Sequence, residues 1–173
     1  MIRTRRLSIS LIKFSDLEEV RLLHNHPDTL RWLSDTHKVT VQEQQEWYSI
    51  LINSKKSRRY VARELSSGKL VGVFRLDSLD LENESAQVGL DVSVGFRRQG
   101  LATEIYKTMI PYFFSEMLIN RISLVALESN FAARALYEKL GFVEEGRLRE
   151  AFLRDNCYID GVVYSLLSSE YRT

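Results

Sequence analysis

The sequence predicts a single α/β (α+β) domain, a mixed and mostly antiparallel sheet of about seven strands flanked by helices. Three observations point there. The hydrophobic period switches repeatedly between two and about four residues along the chain, the marks of half-buried strands and amphipathic helices. Hairpin signals mix with two strand–helix units, so antiparallel neighbours and a crossover share one sheet. The 173 residues, 45% of them apolar and only two of them proline, supply one core and no linker.

Taken in order, Leu7 to Ile12 alternates apolar and polar residues and reads as a first strand. Ser15-Asp16-Leu17-Glu18 has the form of a capping box and opens a helix that should stop before Pro27. Thr40-Val41-Gln42-Glu43 is a second box, ahead of a helix carrying Trp47, Ile50 and Leu51 on one face. Arg59 to Glu64 and Leu70 to Leu76 read as strands joined by the turn Ser66-Ser67-Gly68-Lys69. A polar loop, Asp80 to Glu84, precedes a longer strand from Ala86 to Val94. After Gly100, Leu101, Ile105, Met109, Phe113 and Met117 fall at every fourth position, a helix. Arg121 to Glu128 is a short strand and Phe131 to Leu140 a helix. Phe142 to Phe152 and Tyr158 to Leu167, around Asp155-Asn156, form a hairpin. The order is β-α-α-β-β-β-α-β-α-β-β.

Composition excludes several classes. With 24 basic against 23 acidic residues, the net charge of +1 does not suit a dedicated nucleic-acid binder. No stretch approaches eighteen consecutive apolar residues, and the N-terminus lacks the continuous apolar run of a signal peptide. The expected compartment is therefore the cytoplasm. The single cysteine, Cys157, forms no internal disulfide, and no cysteines pair for zinc. His24-Asn25-His26 lacks a third ligand cluster and reads as local packing, so no metal is expected. The basic run Lys55 to Arg59 reads as a solvated turn.

The run from Asp91 to Thr103 carries the chemistry. A strand ends, a loop with Gly95, Arg97, Arg98 and Gly100 follows, and a helix begins. The first turn of a helix leaves backbone N–H groups unpaired at a positive dipole end. Glycine lets a ligand approach the backbone, and the arginines add charge. Such an arrangement suits a phosphate or pyrophosphate; its alternative is a basic loop with a helix-capping glycine. The run is neither a Walker A loop nor a dinucleotide fingerprint, because Leu101 follows Gly100 and a third spaced glycine is lacking. A second run, Glu128-Ser129-Asn130, follows a strand and starts the helix bearing Ala133, Leu136, Tyr137 and Leu140, with Gly141 as its stop.

Arg97-Arg98-Gln99-Gly100-Leu101-Ala102 resembles the Gln/Arg-x-x-Gly-x-Gly/Ala signature of the GNAT N-acetyltransferase superfamily. Asn130 and the segment Ala135 to Phe142 resemble that superfamily's second signature, about thirty residues later, and the element order matches over nearly the whole chain. The branch it resembles contains ribosomal-protein N-terminal, nucleotide-amino-sugar and polyamine acetyltransferases. The resemblance implies one GNAT domain over residues 1–173, a GNAT-like fold and acetyl-CoA (coenzyme A) as cofactor.

It further implies that the pyrophosphate sits at Arg97, Arg98, Gln99, Gly100, Leu101, Ala102 and Thr103. The pantetheine arm would run beside Val92, Ser93 and Val94 like an added strand, with Asn130 holding it. Tyr137 matches the general acid for the departing thiolate. A neutral amine would attack the thioester directly, with a backbone N–H near Val94 facing the developing oxyanion. Many relatives carry a glutamate where this chain has Gln87, which cannot take up a proton. The candidate bases are therefore Asp91, on the same strand face, and Glu128.

Three functions stay open at this stage. One is an acetyltransferase for a small primary amine, with an amino sugar foremost. The second acts on a protein N-terminus, and the third is a non-catalytic acetyl-CoA-binding module. Trp32, Trp47, Tyr48, Phe152 and Tyr158 are the candidate walls of the acceptor site. A homodimer through an exposed strand edge fits this fold class.

Overall fold

The structure is a computed structural model that describes residues 1–171, so the last two residues of the expected 1–173 domain lie outside the described residues. Eight strands form one sheet in the order β1-β2-β3-β4-β5-β6-β8-β7. The strands are β1 (Ile2–Arg3), β2 (Leu7–Leu11), β3 (Arg58–Glu64), β4 (Leu70–Asp80), β5 (Ser85–Val92), β6 (Arg121–Leu127), β7 (Val143–Arg154) and β8 (Cys157–Leu167). The helices are α1 (Leu17–Asn25), α2 (Pro27–Leu30), α3 (Val41–Asn53), α4 (Leu101–Pro111) and α5 (Phe131–Lys139). The strand beyond the seven expected is β1, two residues that pair with Ile9 and Ser8.

Two apolar layers cover the sheet. Tyr60, Ala62, Phe74 and Leu76 face a core with Leu101, Ile105, Tyr106, Met109, Ile110 and Phe113, the four-residue stripe of α4. Val61 and Val73 face Leu17, Val20, Leu23 and Leu51 of α1 and α3 on the other side. Strict alternation would put Val71 with Val73. A register shift pairs Ala62 with Gly72 but Arg63 with Leu70. That makes Val71 the extra residue of a bulge and turns it into the larger core.

Local signals differ in how they are satisfied. The Thr40 box forms as expected: Thr40 Oγ1 accepts the Glu43 N–H at 3.2 Å and the Glu43 carboxylate accepts the Thr40 N–H at 2.7 Å. The Ser15 box does not form. Instead the Asp16 carboxylate, one residue on, accepts the Lys13 N–H at 2.8 Å and closes a short 3-10 turn ahead of α1. On α3, Leu51 is buried but Ile50 is 72% exposed, so the apolar face is narrower than expected. The β7–β8 hairpin turns at Asp155 and Asn156, both at positive φ (48° and 61°), the geometry of a type I′ turn.

The sheet has one parallel pairing, and it is short. Ser85, Ala86 and Gln87 of β5 pair with Arg121, Ile122 and Ser123 of β6, and beyond them the two strands part. The other neighbouring strands all run antiparallel.

The Thr40 box makes a pH-dependent prediction. The Thr40 N–H, then its hydroxyl and the His37 ring, hold the Glu43 carboxyl down to about 2 from 4.5. Its contribution is therefore present above pH 4.5 and lost as pH falls through about 2. Glu43→Gln lowers Tm at neutral pH, and thermal melts of variant and parent converge as the pH approaches 2.

Candidate functional site

Where β5 and β6 part, a cleft of about 500 Å³ opens, lined by Leu90, Asp91 and Val92 of β5, the start of α4, and Asn130, Ala133, Leu136 and Tyr137. Ser93 donates its backbone N–H to Val71 O at 2.8 Å. Backbone direction alternates along a strand, so Asp91 also addresses β4. Leu90 and Val92 then turn their backbone groups towards the side that β6 has left. An edge of this kind is an unfilled half of a β ladder.

The floor at the α4 end is built by conformation. Arg98 and Gly100 both take left-handed backbones (φ 60° and 75°) and turn the chain sharply into α4. Gly100 caps α4 without a side-chain hydrogen bond, so the N–H groups of the first turn stay available. Arg98 has no hydrogen-bond or ion-pair partner among the described residues. Arg97 is different: its guanidinium donates to Val92 O at 3.0 Å, Asp28 O at 3.2 Å and Thr29 Oγ1 at 3.0 Å. It ties the loop to α2. Arg6 supports the same turn from outside, donating to Gln99 O at 3.0 Å while paired with Glu104 at 2.6 Å.

Tyr137 is partly buried against Tyr106, their ring centroids 5.9 Å apart, edge to face. Burial pushes both phenols up, Tyr106 furthest. At Tyr137 the neighbouring Tyr106 hydroxyl and the Arg75 charge pull the other way, while Asp91 adds to the rise. The Tyr106 hydroxyl has no geometric hydrogen-bond partner among the described residues. Asn130 Oδ1 accepts the Ala133 N–H at 3.2 Å as the α5 cap, which leaves its amide N–H₂ free to donate.

Of the residues singled out from sequence, Asp91, Val92, Arg97, Arg98, Gly100, Leu101, Ala102, Thr103, Asn130 and Tyr137 line this one cleft. Ser93, Val94, Gln99 and Glu128 do not. The strand expected to reach Val94 ends at Val92, and Val94–Phe96 is a 3-10 turn whose Phe96 N–H bonds back to Ser93 O. Ser93 Oγ donates to Leu70 O, and Ser93 and Val94 border a separate depression. Gln99 is exposed, its amide donating to Gly95 O. Glu128 is paired with Arg147 of β7. Gln87 is exposed where β5 still pairs with β6.

A second cleft, about 340 Å³, lies on the other side of Asp91. Val20, Leu23 and His24 of α1, Asp35 and His37, Glu43 and Trp47 of α3, Arg59, Arg75 and Asp91 wall it. Asp91 lines both clefts. Of the aromatic residues expected here Trp47 is present, whereas Trp32 lines the first cleft. Tyr48 packs on Phe14, 5.9 Å between centroids. Phe152 lies under the Arg154 guanidinium, and Tyr158 is 66% exposed in the β7–β8 hairpin. The His24 ring meets His37 O at 3.2 Å and His26 Nδ1 accepts the Asp28 N–H at 3.1 Å, both local packing. Arg59, expected in a solvated turn, is instead the second residue of β3 and lines this cleft, whereas Arg75 was missed by sequence reading, since it sits in an alternating strand as an ordinary outward-facing residue would.

The family model described as "Acetyltransferase (GNAT) domain" matches residues 6–143. The chain is 35% identical over 107 residues to a putative ribosomal N-acetyltransferase of Bacillus subtilis, an alignment covering 62% of this chain and 58% of that relative. It is 25% identical to a spermidine N(1)-acetyltransferase of Vibrio cholerae, covering 96% of this chain and 95% of the relative. A crystal structure of the Vibrio cholerae spermidine N-acetyltransferase with CoA and spermine superimposes with a TM-score of 0.91 at 25% identity, over 97% of this chain and 99% of that one.

The role of Arg97 as a tie predicts a stability loss. Arg97→Ala leaves two backbone carbonyls and a hydroxyl without their donor, a cost of about 1–3 kcal/mol. Differential scanning calorimetry should show Tm lower by about 2–12 °C.

Proposed function

The chain belongs to the acetyltransferase (GNAT) domain family, and from that premise we propose that it moves an acetyl group from acetyl-CoA to a small primary amine within one ternary complex. The observation that carries this reading is the junction: the two clefts meet at Asp91, beside a partly buried tyrosine. The cleft between β5 and β6 would take the cofactor and the smaller one the acceptor.

The residues present fit the cofactor. Uncapped N–H groups of Leu101, Ala102 and Thr103, with the unpartnered Arg98 beside them, suit a pyrophosphate. The open β5 edge, the Leu90 backbone and the Val92 N–H, the Val92 carbonyl being taken by Arg97, suits an amide-bearing arm added like a strand, and the Asn130 amide can hold that arm. Acetyl-CoA supplies a thioester carbonyl open to attack by a neutral amine. Tyr137, kept protonated by burial, would donate its proton to the departing sulfur. Asp91 would take the proton from the amine, because Glu128 is held by Arg147 outside both clefts. The backbone donor to the oxyanion moves from Val94 to the β5 edge, since Val94 lies outside the cleft.

The size of the second cleft favours a small amine. An amino sugar and spermidine, on which the Vibrio cholerae relative acts, both belong to that class. A protein N-terminus could enter only by its first residues. In this reading residues 1–173 form one catalytic domain that works in the cytoplasm; among the described residues no helix is long and apolar enough to cross a membrane. The homodimer would use β7, an edge strand exposed along most of its length.

Two measurements test the reading. Acetyl-CoA at a hundred times its Kd stabilises a protein that binds it by about 2.7 kcal/mol, so Tm should rise by about 5–11 °C; no rise removes the proposal. Tyr137→Phe should lower kcat by about 10²-fold or more with the KM for acetyl-CoA little changed. Because burial raises the Tyr137 pKa, the parent enzyme should hold its rate on the alkaline side past about pH 10, where an ordinary tyrosine would ionise. It should lose rate only as acid protonates the amine.

A further inference from the structure

The second cleft holds two guanidiniums that differ in how they are used. Arg59 donates to Arg58 O, Leu76 O and the Asp77 carboxylate at 3.0, 3.3 and 2.8 Å, and its guanidinium carbon lies 5.8 Å from the Trp47 ring centroid. These bonds all use Nη1, and together with the Trp47 ring they hold the side chain in place against β4. Arg75 stands opposite Gly89 and lies across that glycine, so close that a Cβ there would be 2.7 Å from its guanidinium. Its one ion-pair contact is a loose 3.6 Å approach to Asp91, and its buried Nε has no partner. An unpaired donor on a buried guanidinium is costly. Its side chain is nonetheless 36% accessible and lines the second cleft, so a ligand there can reach it.

The carboxylates of the cleft divide in the same way. Glu43 is held by the Thr40 box and by His37, and Asp35 accepts the His37 N–H at 2.8 Å. Asp91 and Arg75, by contrast, hold only each other among the described residues, loosely at 3.6 Å: adjacent and of opposite sign, with Asp91 lining both clefts and Arg75 the second. Such a pair is complementary to a zwitterion, with Asp91 facing an amino group and the Arg75 fork facing a carboxylate near it. A polycation would meet the Arg75 charge at the reacting end.

We propose that the acceptor is a small primary amine bearing a carboxylate close to its nitrogen, as in a free amino acid, and that Arg75 is the residue that recognises the carboxylate. This rests on the acetyltransferase reading above and names the substrate class of the same site. Thiol release from acetyl-CoA should be followed with free α-amino acids, the matching α-carboxamides, spermidine, glucosamine and a peptide with a free N-terminus. The account expects a carboxylate over its carboxamide by about tenfold or more in kcat/KM, the worth of a charge-assisted contact. In Arg75→Gln that preference should collapse, chiefly through KM, and Arg75→Lys should restore part of it. If Arg75→Gln melts early, the acid-against-amide comparison in the unaltered enzyme decides alone. Equal rates for acids and amides, or turnover confined to spermidine, glucosamine or the peptide, overturn the proposal and leave the acetyltransferase reading standing. Acetyl-CoA binding with no turnover of any carboxylate-bearing amine also overturns it. Absence of acetyl-CoA binding in the thermal melt removes the underlying reading instead.

Discussion

Two neighbouring strands in the middle of the sheet, β5 and β6, keep company for three residue pairs and then diverge. Central strands seldom forgo backbone hydrogen bonds, because buried unpaired N–H and C=O groups are expensive. Here the vacancy is organised rather than filled: β6 is carried away by its antiparallel pairing with β8 from Arg121 to Leu127, and α4 and α5 wall the gap. The cleft, the free edge of β5 and the exposed helix start all follow from that parting.

Rigidity around the gap comes from arginines that serve as ties, one of them, Arg97, expected from sequence at the pyrophosphate. Arg97 binds the loop to α2 through three acceptors, and Arg6 holds the turn at Gln99. Neighbouring Arg98 and Gly100, in left-handed conformations, aim the backbone instead. Among the described residues this leaves Arg98 without a partner at the α4 end, and, beside Asp91, Arg75 with one loose ion pair and an unpaired Nε. A nearly neutral chain can thus present local anion sites at both ends of a reaction path.

Much of this was legible in the sequence where the cause is local. The four-residue stripe from Leu101 to Phe113, the Thr40 box and the Asp155-Asn156 turn each arise from contacts within a few residues. The run around Gly100, with Asn130 and Tyr137, was legible through its resemblance to a family. Errors came at one local turn and where distant segments decide. Alternation in Val92-Ser93-Val94 looks like continuing strand, yet the Phe96 N–H turns back to Ser93 O and removes Val94 from the cleft. Glu128 was a candidate base, with a salt-bridged carboxylate as its alternative, and the order β6-β8-β7 brings Arg147 beside it. The second cleft draws on α1, α3, β3, β4 and β5 together, and no window of sequence contains it.

The central claim is that the open edge of β5 receives the acyl carrier. Amide hydrogen exchange by NMR, with and without acetyl-CoA, tests it most directly. The account predicts that the N–H groups of Leu90 and Val92 and those of Leu101, Ala102 and Thr103 slow together on adding acetyl-CoA, while Val61 in the β3 interior is unchanged. Protection confined to other segments, or none at Leu90 and Val92, would contradict it.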